Sequence, residues 1–162
     1  LVTSADDFDN PRRKFAPLEA DMPACPQATM LRGEGAIFFG AVEYVQQHFR
    51  NVDEADPLKK HLILTARPIG FIDLAGADLL AKEAARRRKL GGGLYLVGVQ
   101  PDLCEMLRRG GQVDAIGEDH IFAHKGDALR AIYPRLDNET CRTCSVRIFH
   151  ECRAALPDGT PR

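Results

Sequence analysis

The sequence predicts an α/β domain with a small mixed β-sheet of about five strands and four to five helices packed against it. Short apolar runs at 61–65 and 94–99 have the length of strands and are apolar on both faces, as buried central strands require. Between them lie segments whose apolar residues recur at helical spacing. Such alternation implies crossover connections and a mostly parallel sheet.

The 162-residue chain has an ordinary globular composition, with 44% hydrophobic and 28% charged residues. A chain of this length is expected to form one domain with a sizeable core. Its 22 Lys and Arg residues nearly balance 23 Asp and Glu residues, so it lacks the basic excess of a nucleic-acid-binding protein. No apolar run approaches the ~20 residues that cross a bilayer.

Residues 1–28 are expected to form a linker or irregular arm, because four prolines interrupt any periodicity. The chain begins at Leu1 rather than Met, which favours a tether to a preceding domain. The ordered domain is then expected over 29–134, followed by a cysteine-containing tail over 135–162.

The domain is predicted to open with a β-hairpin. Segments 29–32 and 36–39 have strand character, and the glycine-rich turn 33–35 separates them. From Ala41 the apolar spacing becomes helical, and this helix is expected to end in an acidic loop over 51–57.

A long helix is predicted over 74–89, after the strand 61–65 and the short apolar segment 71–72. Asp73 is placed to cap its N-terminus, and the glycines at 91–93 end it. The basic run 86–89 at its C-terminus is read as a solvated helix end, which suits the helix dipole, in preference to a nucleic-acid or acidic-lipid patch. A strand at 94–99, a helix opened by Pro101, a short strand at 121–122 and a helix at 127–133 complete the domain.

The residue pattern argues against an enzyme. The only serines are Ser4 and Ser145, which lie in the arm and in the tail, so no serine occupies a strand-to-helix elbow. The glycines at 33–35 precede a strand and those at 91–93 follow a helix, which is the wrong context for a phosphate loop.

The segment Phe71-Ile72-Asp73-Leu74-Ala75-Gly76-Ala77-Asp78-Leu79-Leu80 carries a family resemblance. It resembles the strand–loop–helix of STAS domains, which occur in anti-sigma-factor antagonists and as C-terminal cytoplasmic domains of sulfate-permease (SulP) anion transporters. Segment 32–44, with its two phenylalanines before the first helix, looks like the transporter branch. The segments at 94–101, 107–111 and 116–129 are similar to later elements of the family. The resemblance covers about 29–133 and implies a STAS-like fold.

The loop separates the two branches of the family. Anti-sigma antagonists are switched by phosphorylation of a hydroxyl directly after the loop Asp, but here that position is Leu74 and the next is Ala75. The resemblance therefore implies a non-catalytic regulatory domain on the cytoplasmic face of the membrane, within a SulP-type sulfate or anion transporter. The docking residues are expected to be Asp73, Leu74, Ala75, Gly76 and Asp78. The alternative is a free-standing STAS regulator that lacks the phosphorylatable Ser or Thr.

The resemblance also implies the partners. These are the transmembrane domain of the same transporter, and a regulatory protein or a second copy of the chain. Nucleic acid is not expected, because the charges balance. A small-molecule or nucleotide-binding module is a third class for this fold, although the chain lacks a phosphate-loop signature.

The tail contains the spacing Cys-x2-Cys-x5-His-x-Cys, formed by Cys141, Cys144, His150 and Cys152. Two thiolates two residues apart can bind one Zn²⁺, and the other two side chains could complete a tetrahedron. His-x-Cys is nevertheless an unusual finger spacing. Structural or free thiols and a Cys141–Cys144 redox pair remain alternatives to structural zinc; no other cofactor is expected.

Overall fold

The computed structural model describes residues 2–4, 15–17 and 23–162. In this part of the chain eight strands form two sheets. They are β1 (Val2–Ser4), β2 (Phe15–Pro17), β3 (Ala28–Arg32), β4 (Gly35–Ile37), β5 (His61–Thr65), β6 (Ile69–Ile72), β7 (Gly93–Val97) and β8 (Ile121–Phe122). Two of the strands, β1 and β2, lie inside the predicted irregular arm. The role of this arm as a tether stays a prediction.

Seven α-helices occur among the described residues, more than the four to five predicted. They are α1 (Val42–Ala55), α2 (Leu74–Lys89), α3 (Pro101–Arg109), α4 (Gln112–Ile116), α5 (Lys125–Ile132), α6 (Asn138–Thr143) and α7 (Glu151–Ala154). The additional helices are short, with four to six residues in α4, α6 and α7. Segments of this length carry too few apolar repeats for periodicity to reveal them. No helix in the described part is both long and apolar enough to cross a membrane.

The main sheet has the strand order β2-β1-β3-β5-β7-β8. Strands β3, β5, β7 and β8 are parallel, whereas β1 pairs antiparallel with both β2 and β3. The sheet is therefore mixed, and helices connect its parallel strands. The predicted α/β class with a mixed sheet is confirmed.

The predicted opening hairpin is wrong. Strand β3 pairs in parallel with β5, and β4 pairs in parallel with β6 in a separate two-stranded sheet. Residues 28–37 thus run parallel to residues 61–72. Between the paired strands, the backbone N–H of Gly33 donates to Thr65 O and that of Gly35 donates to Pro68 O. A Cβ on Gly33 would lie 2.6 Å from Ile69 Cδ1, so this glycine permits close approach between the segments. It does not form a hairpin turn.

Two hydrophobic cores lie on the two faces of the main sheet. Every residue of β5 and β7 is buried, which matches their apolar middle residues, and the polar His61 and Thr65 at the ends of β5 are buried as well. On one face, α1 to α4 cover Leu62, Leu64, Leu94 and Leu96. On the other face, Ile63, Tyr95 and Val97 pack against α5 and the C-terminal tail, which contributes Cys141, Phe149, Cys152 and Leu156.

The Gln27 side chain joins the tail to the start of β3. Its amide nitrogen donates to Asp137 O at 3.1 Å, and its amide oxygen accepts from Asp137 N at 2.7 Å. The same nitrogen lies 3.3 Å from Cys141 Sγ. The segment predicted as a tail is thus packed onto the domain and anchored by polar contacts.

The basic end of α2 differs from the prediction of a solvated helix end. Arg87 is fully buried and donates to Glu83 Oε1 at 2.7 Å and to Asp53 Oδ1 at 2.9 Å. Arg86 pairs with the same two carboxylates. Asp53 belongs to α1, which continues to Ala55 where an acidic loop was predicted. The acidic residues after Phe49 therefore extend α1, and one of them, Asp53, pairs with α2.

Candidate docking surface

Asp73 lies where β6 ends and α2 begins, and its carboxylate connects two turns. Oδ1 accepts from the Gly76 backbone at 2.8 Å, which is the predicted N-cap, and Oδ2 accepts from the Phe39 backbone at 2.9 Å. The N–H donors of Gly76 and Phe39 hold the pKa of the Asp73 carboxyl below its ordinary value. Asp73 thereby fixes the 3₁₀ turn at Phe39–Ala41 against the first turn of α2.

Gly76 permits this close approach. A Cβ at position 76 would lie 2.3 Å from the backbone oxygen of Ile37, a distance that real side chains do not adopt. The first turn of α2 therefore rests directly on the backbone at the end of β4. Because Gly76 is buried, it shapes the loop and does not itself contact a partner.

Four exposed large apolar side chains lie close to Asp73 along the chain or in the turn that its carboxylate binds. Leu74 is 67% exposed, Phe39 82%, Phe71 53% and Phe38 45%. We call these four residues together with Asp73 the Asp73 patch. Soluble monomers rarely expose several large apolar residues at one place, and such patches mark interaction surfaces. Tyr44, 69% exposed on the following helix α1, extends the apolar character beyond the patch.

The five predicted docking residues have different positions. Leu74 is exposed, whereas Asp73 and Ala75 are half-buried. Gly76 lies under the loop. Asp78 is exposed, but its Oδ1 accepts from Gln112 Nε2 at 2.9 Å, so it joins α2 to α4. The accessible part of the predicted surface is thus the start of α2.

Sequence reasoning placed Phe38 and Phe39 in a strand and so missed their exposure. Strand β4 ends at Ile37, and a 3₁₀ turn starts at Phe39. In a strand that is buried on one face, two consecutive aromatic residues cannot both point into the core, because successive side chains alternate. Two consecutive phenylalanines followed by Gly40 were therefore the sequence signal that the strand ends before them.

The predicted zinc ligands Cys141, Cys144 and Cys152 line one small cavity, and His150 is not among the residues that line it. Cys141 and Cys152 are buried, Cys144 is half-buried and His150 is exposed. Within the part of the chain that the structure describes, no three His, Cys, Asp or Glu side chains form a group that could hold a metal ion. Burial raises the pKa of the Cys141 thiol to about 11, which disfavours the thiolate that zinc and redox chemistry require. Zinc binding stays a prediction.

The curated proteins whose sequences match this chain are named as sulfate transporters. The chain is 28% identical over 99 residues to a putative sulfate transporter, YvdB, of Bacillus subtilis, a match covering 61% of this chain and 18% of that protein. It spans about a fifth of the length of the curated relatives that it matches.

Two solved structures share the fold. A sulfate transporter family protein from Wolinella succinogenes is 30% identical, with a TM-score of 0.55 over 64% of this chain and 83% of that one. A putative anti-sigma factor antagonist from Thermotoga maritima has a TM-score of 0.56 over 64% of this chain and 85% of that one, but is only 13% identical, which shows the fold alone. The family model for the STAS domain matches residues 19–128. The parallel sheet and the Asp-capped helix agree with this match, which covers more than half of the chain. The chain therefore belongs to the STAS domain family.

Proposed function

We propose that this chain is the regulatory docking domain of a SulP-type sulfate or anion transporter. In this proposal the Asp73 patch contacts the membrane part of the same protein, on the cytoplasmic face of the membrane. The observation that carries the proposal is the exposed apolar surface around a rigidly capped helix start. The sequence similarity to sulfate transporters, of which the chain spans about a fifth, supports the choice of partner.

The chemistry of the patch favours docking by contact. Leu74 occupies the first position of α2, where a phosphorylatable hydroxyl would lie in a switched antagonist, and it offers only an exposed apolar side chain. Burial of such side chains contributes roughly 25 cal/mol per Å² of apolar area. Phe39, the most exposed member, is held in place by the bond between its backbone and Asp73. A preorganised loop loses little conformational entropy when it binds.

Substitutions in the full-length protein test this function. We expect Phe39→Glu and Leu74→Glu to abolish most sulfate uptake by cells, because a buried, unpaired carboxylate opposes docking. Leu58→Glu is the matched control, since Leu58 is a similarly exposed leucine, 49% accessible, outside the patch. Membrane abundance is measured for each variant. Unchanged uptake by both patch variants at normal abundance would contradict the proposal.

The rival is a free-standing STAS regulator. Sequencing the complete gene distinguishes the two functions, because a transporter requires several apolar segments of about 20 residues in the same reading frame. A reading frame without such segments would favour the regulator. The Asp73 patch would then be assigned to a separate protein partner, and pull-down with the Phe39→Glu variant would test that assignment.

A further inference from the structure

A cleft of about 520 Å³ lies at the carboxyl edge of the parallel strands. Arg32, Thr65, Val97 and Phe122 are the last residues of β3, β5, β7 and β8, and each pairs with the next across the sheet. The four strands therefore end in one row, and the loops after them form the walls. Open α/β sheets bind ligands at this edge. The cleft is within the size range of small-molecule sites and shares no residue with the Asp73 patch.

Basic side chains from three elements converge on this cleft. Its lining includes Arg32 at the end of β3, Arg67 after β5, and His124 and Lys125 at the start of α5. No Asp or Glu occurs among the described residues that line it. Arg32 is paired with Glu34, whose carboxylate lies 2.7 Å from Arg32 Nε. The described part of the lining therefore carries net positive charge.

The cations are close enough to repel one another. The pKa of the Lys125 ammonium is lowered, first by burial and then by the positive charges of Arg32 and Arg67. Gly98 lies beside Arg67 in this corner, with a φ of 72° in the left-handed region that favours glycine. An anion in the cleft would offset this repulsion.

The start of α5 adds backbone donors. The helix has eight residues, and no side chain caps its N-terminus at His124. Its first-turn N–H groups and positive dipole end adjoin the same cleft. Asp127 in that turn is engaged by Arg130, at 2.9 Å. Side chains and backbone thus present complementary donors to a tetrahedral oxyanion.

We propose that this cleft binds the phosphate or sulfate group of a small molecule, with Arg67 and Lys125 as its principal ligands. The cleft is larger than one tetrahedral oxyanion requires, so it also accommodates the remainder of a larger molecule. This site is independent of docking at the Asp73 patch, and the test below uses the 162-residue chain without a membrane. Its result therefore stands whatever the uptake experiment gives.

The test is titration of the purified chain with inorganic phosphate, inorganic sulfate and pyrophosphate at constant ionic strength. Binding is followed by calorimetry and by ¹H–¹⁵N spectra. We expect saturable 1:1 binding of at least one of these anions, with shifts at the Gly98 and Gly126 amides. Tighter binding of pyrophosphate would assign the cleft to a phosphate-bearing metabolite. Tighter binding of sulfate would assign it to the free oxyanion.

Variants decide whether the cleft is responsible. Arg67→Gln and Lys125→Gln should each weaken binding roughly tenfold, because each removes a charge-assisted hydrogen bond. Arg109→Gln, at an exposed position in the last turn of α3, is the control and should bind like the wild type. Circular dichroism verifies that each variant is folded. Absence of saturable binding for all three anions, or equal affinity in both cleft variants and the control, would overturn the proposal.

Discussion

The buried Arg87 cluster gives the sharpest prediction about stability. Besides its two carboxylate partners, Arg87 donates to Phe49 O and Lys59 O, each at 2.8 Å. One guanidinium thus joins α2 to α1 and to the loop that precedes β5. Arg87→Ala removes all four bonds and leaves Glu83, which is 3% exposed, with Arg86 as its remaining cation.

Loss of one partner from a buried ion pair costs about 3–5 kcal/mol. Because Arg86 still compensates Glu83, we expect the lower end, about 3 kcal/mol. For a chain of this size that corresponds to a melting temperature lower by roughly 6–12 °C. Arg87→Lys should lie between the wild type and the alanine variant, since an ammonium keeps the charge but cannot reach all four acceptors.

Urea unfolding followed by circular dichroism measures this difference, with unchanged m-values as the condition for comparison. Arg88→Ala is the control, because Arg88 is exposed and, within the described part of the chain, its one side-chain hydrogen bond goes to Ala115 O, at 2.9 Å. It should change the free energy of unfolding by less than about 1 kcal/mol. An Arg87→Ala variant as stable as this control would refute the assignment of the cluster as the connection between α1 and α2.

Three further predictions concern other parts of the fold. Gly76→Ala should lower the free energy of unfolding by about 1–3 kcal/mol through its clash with Ile37 O, and a thermal melt at the wild-type temperature would contradict this. Burial lowers the pKa of His61 to about 4. The contribution of neutral His61 to the free energy of unfolding should therefore be fully present above pH 6.5, and roughly 3 kcal/mol of it should be lost as the pH falls to 4. Urea unfolding of His61→Gln should show a smaller loss over that range. In the native chain at pH 8, a thiol reagent should modify Cys104 before Cys141, since burial raises the pKa of the latter; mass spectrometry of the labelled peptides reports the order.

Elements with strong local signals were predictable from the sequence. Helix α2 spans Leu74–Lys89 as predicted, because Asp73 caps it and glycines follow it. Strand β5 also matches its predicted bounds, because its three consecutive apolar residues at 62–64 have the length and pattern of a short buried strand. The position of Asp73 at a capped helix start followed from the same local chemistry.

Long-range features were not predictable. The hairpin prediction failed because β3 and β4 find their partners about thirty residues later, and nothing local to Gly33 encodes that choice. The burial of Arg87 depends on Asp53, 34 residues away, so a basic helix end gave no sign of it. The exposure of Phe39 depends on the end of β4 and on a bond to Asp73, again 34 residues away.

The packing of the tail on the second core determines where this chain can be shortened. The match to the family model ends at residue 128, yet that core continues through Phe149 and Leu156. A recombinant fragment ending near 134 would lack the tail residues that pack on Ile63 and Tyr95. One face of the central strands would then be exposed to solvent. Such a fragment should aggregate, whereas fragments that retain residues 135–156 should remain soluble and suit crystallisation and binding work.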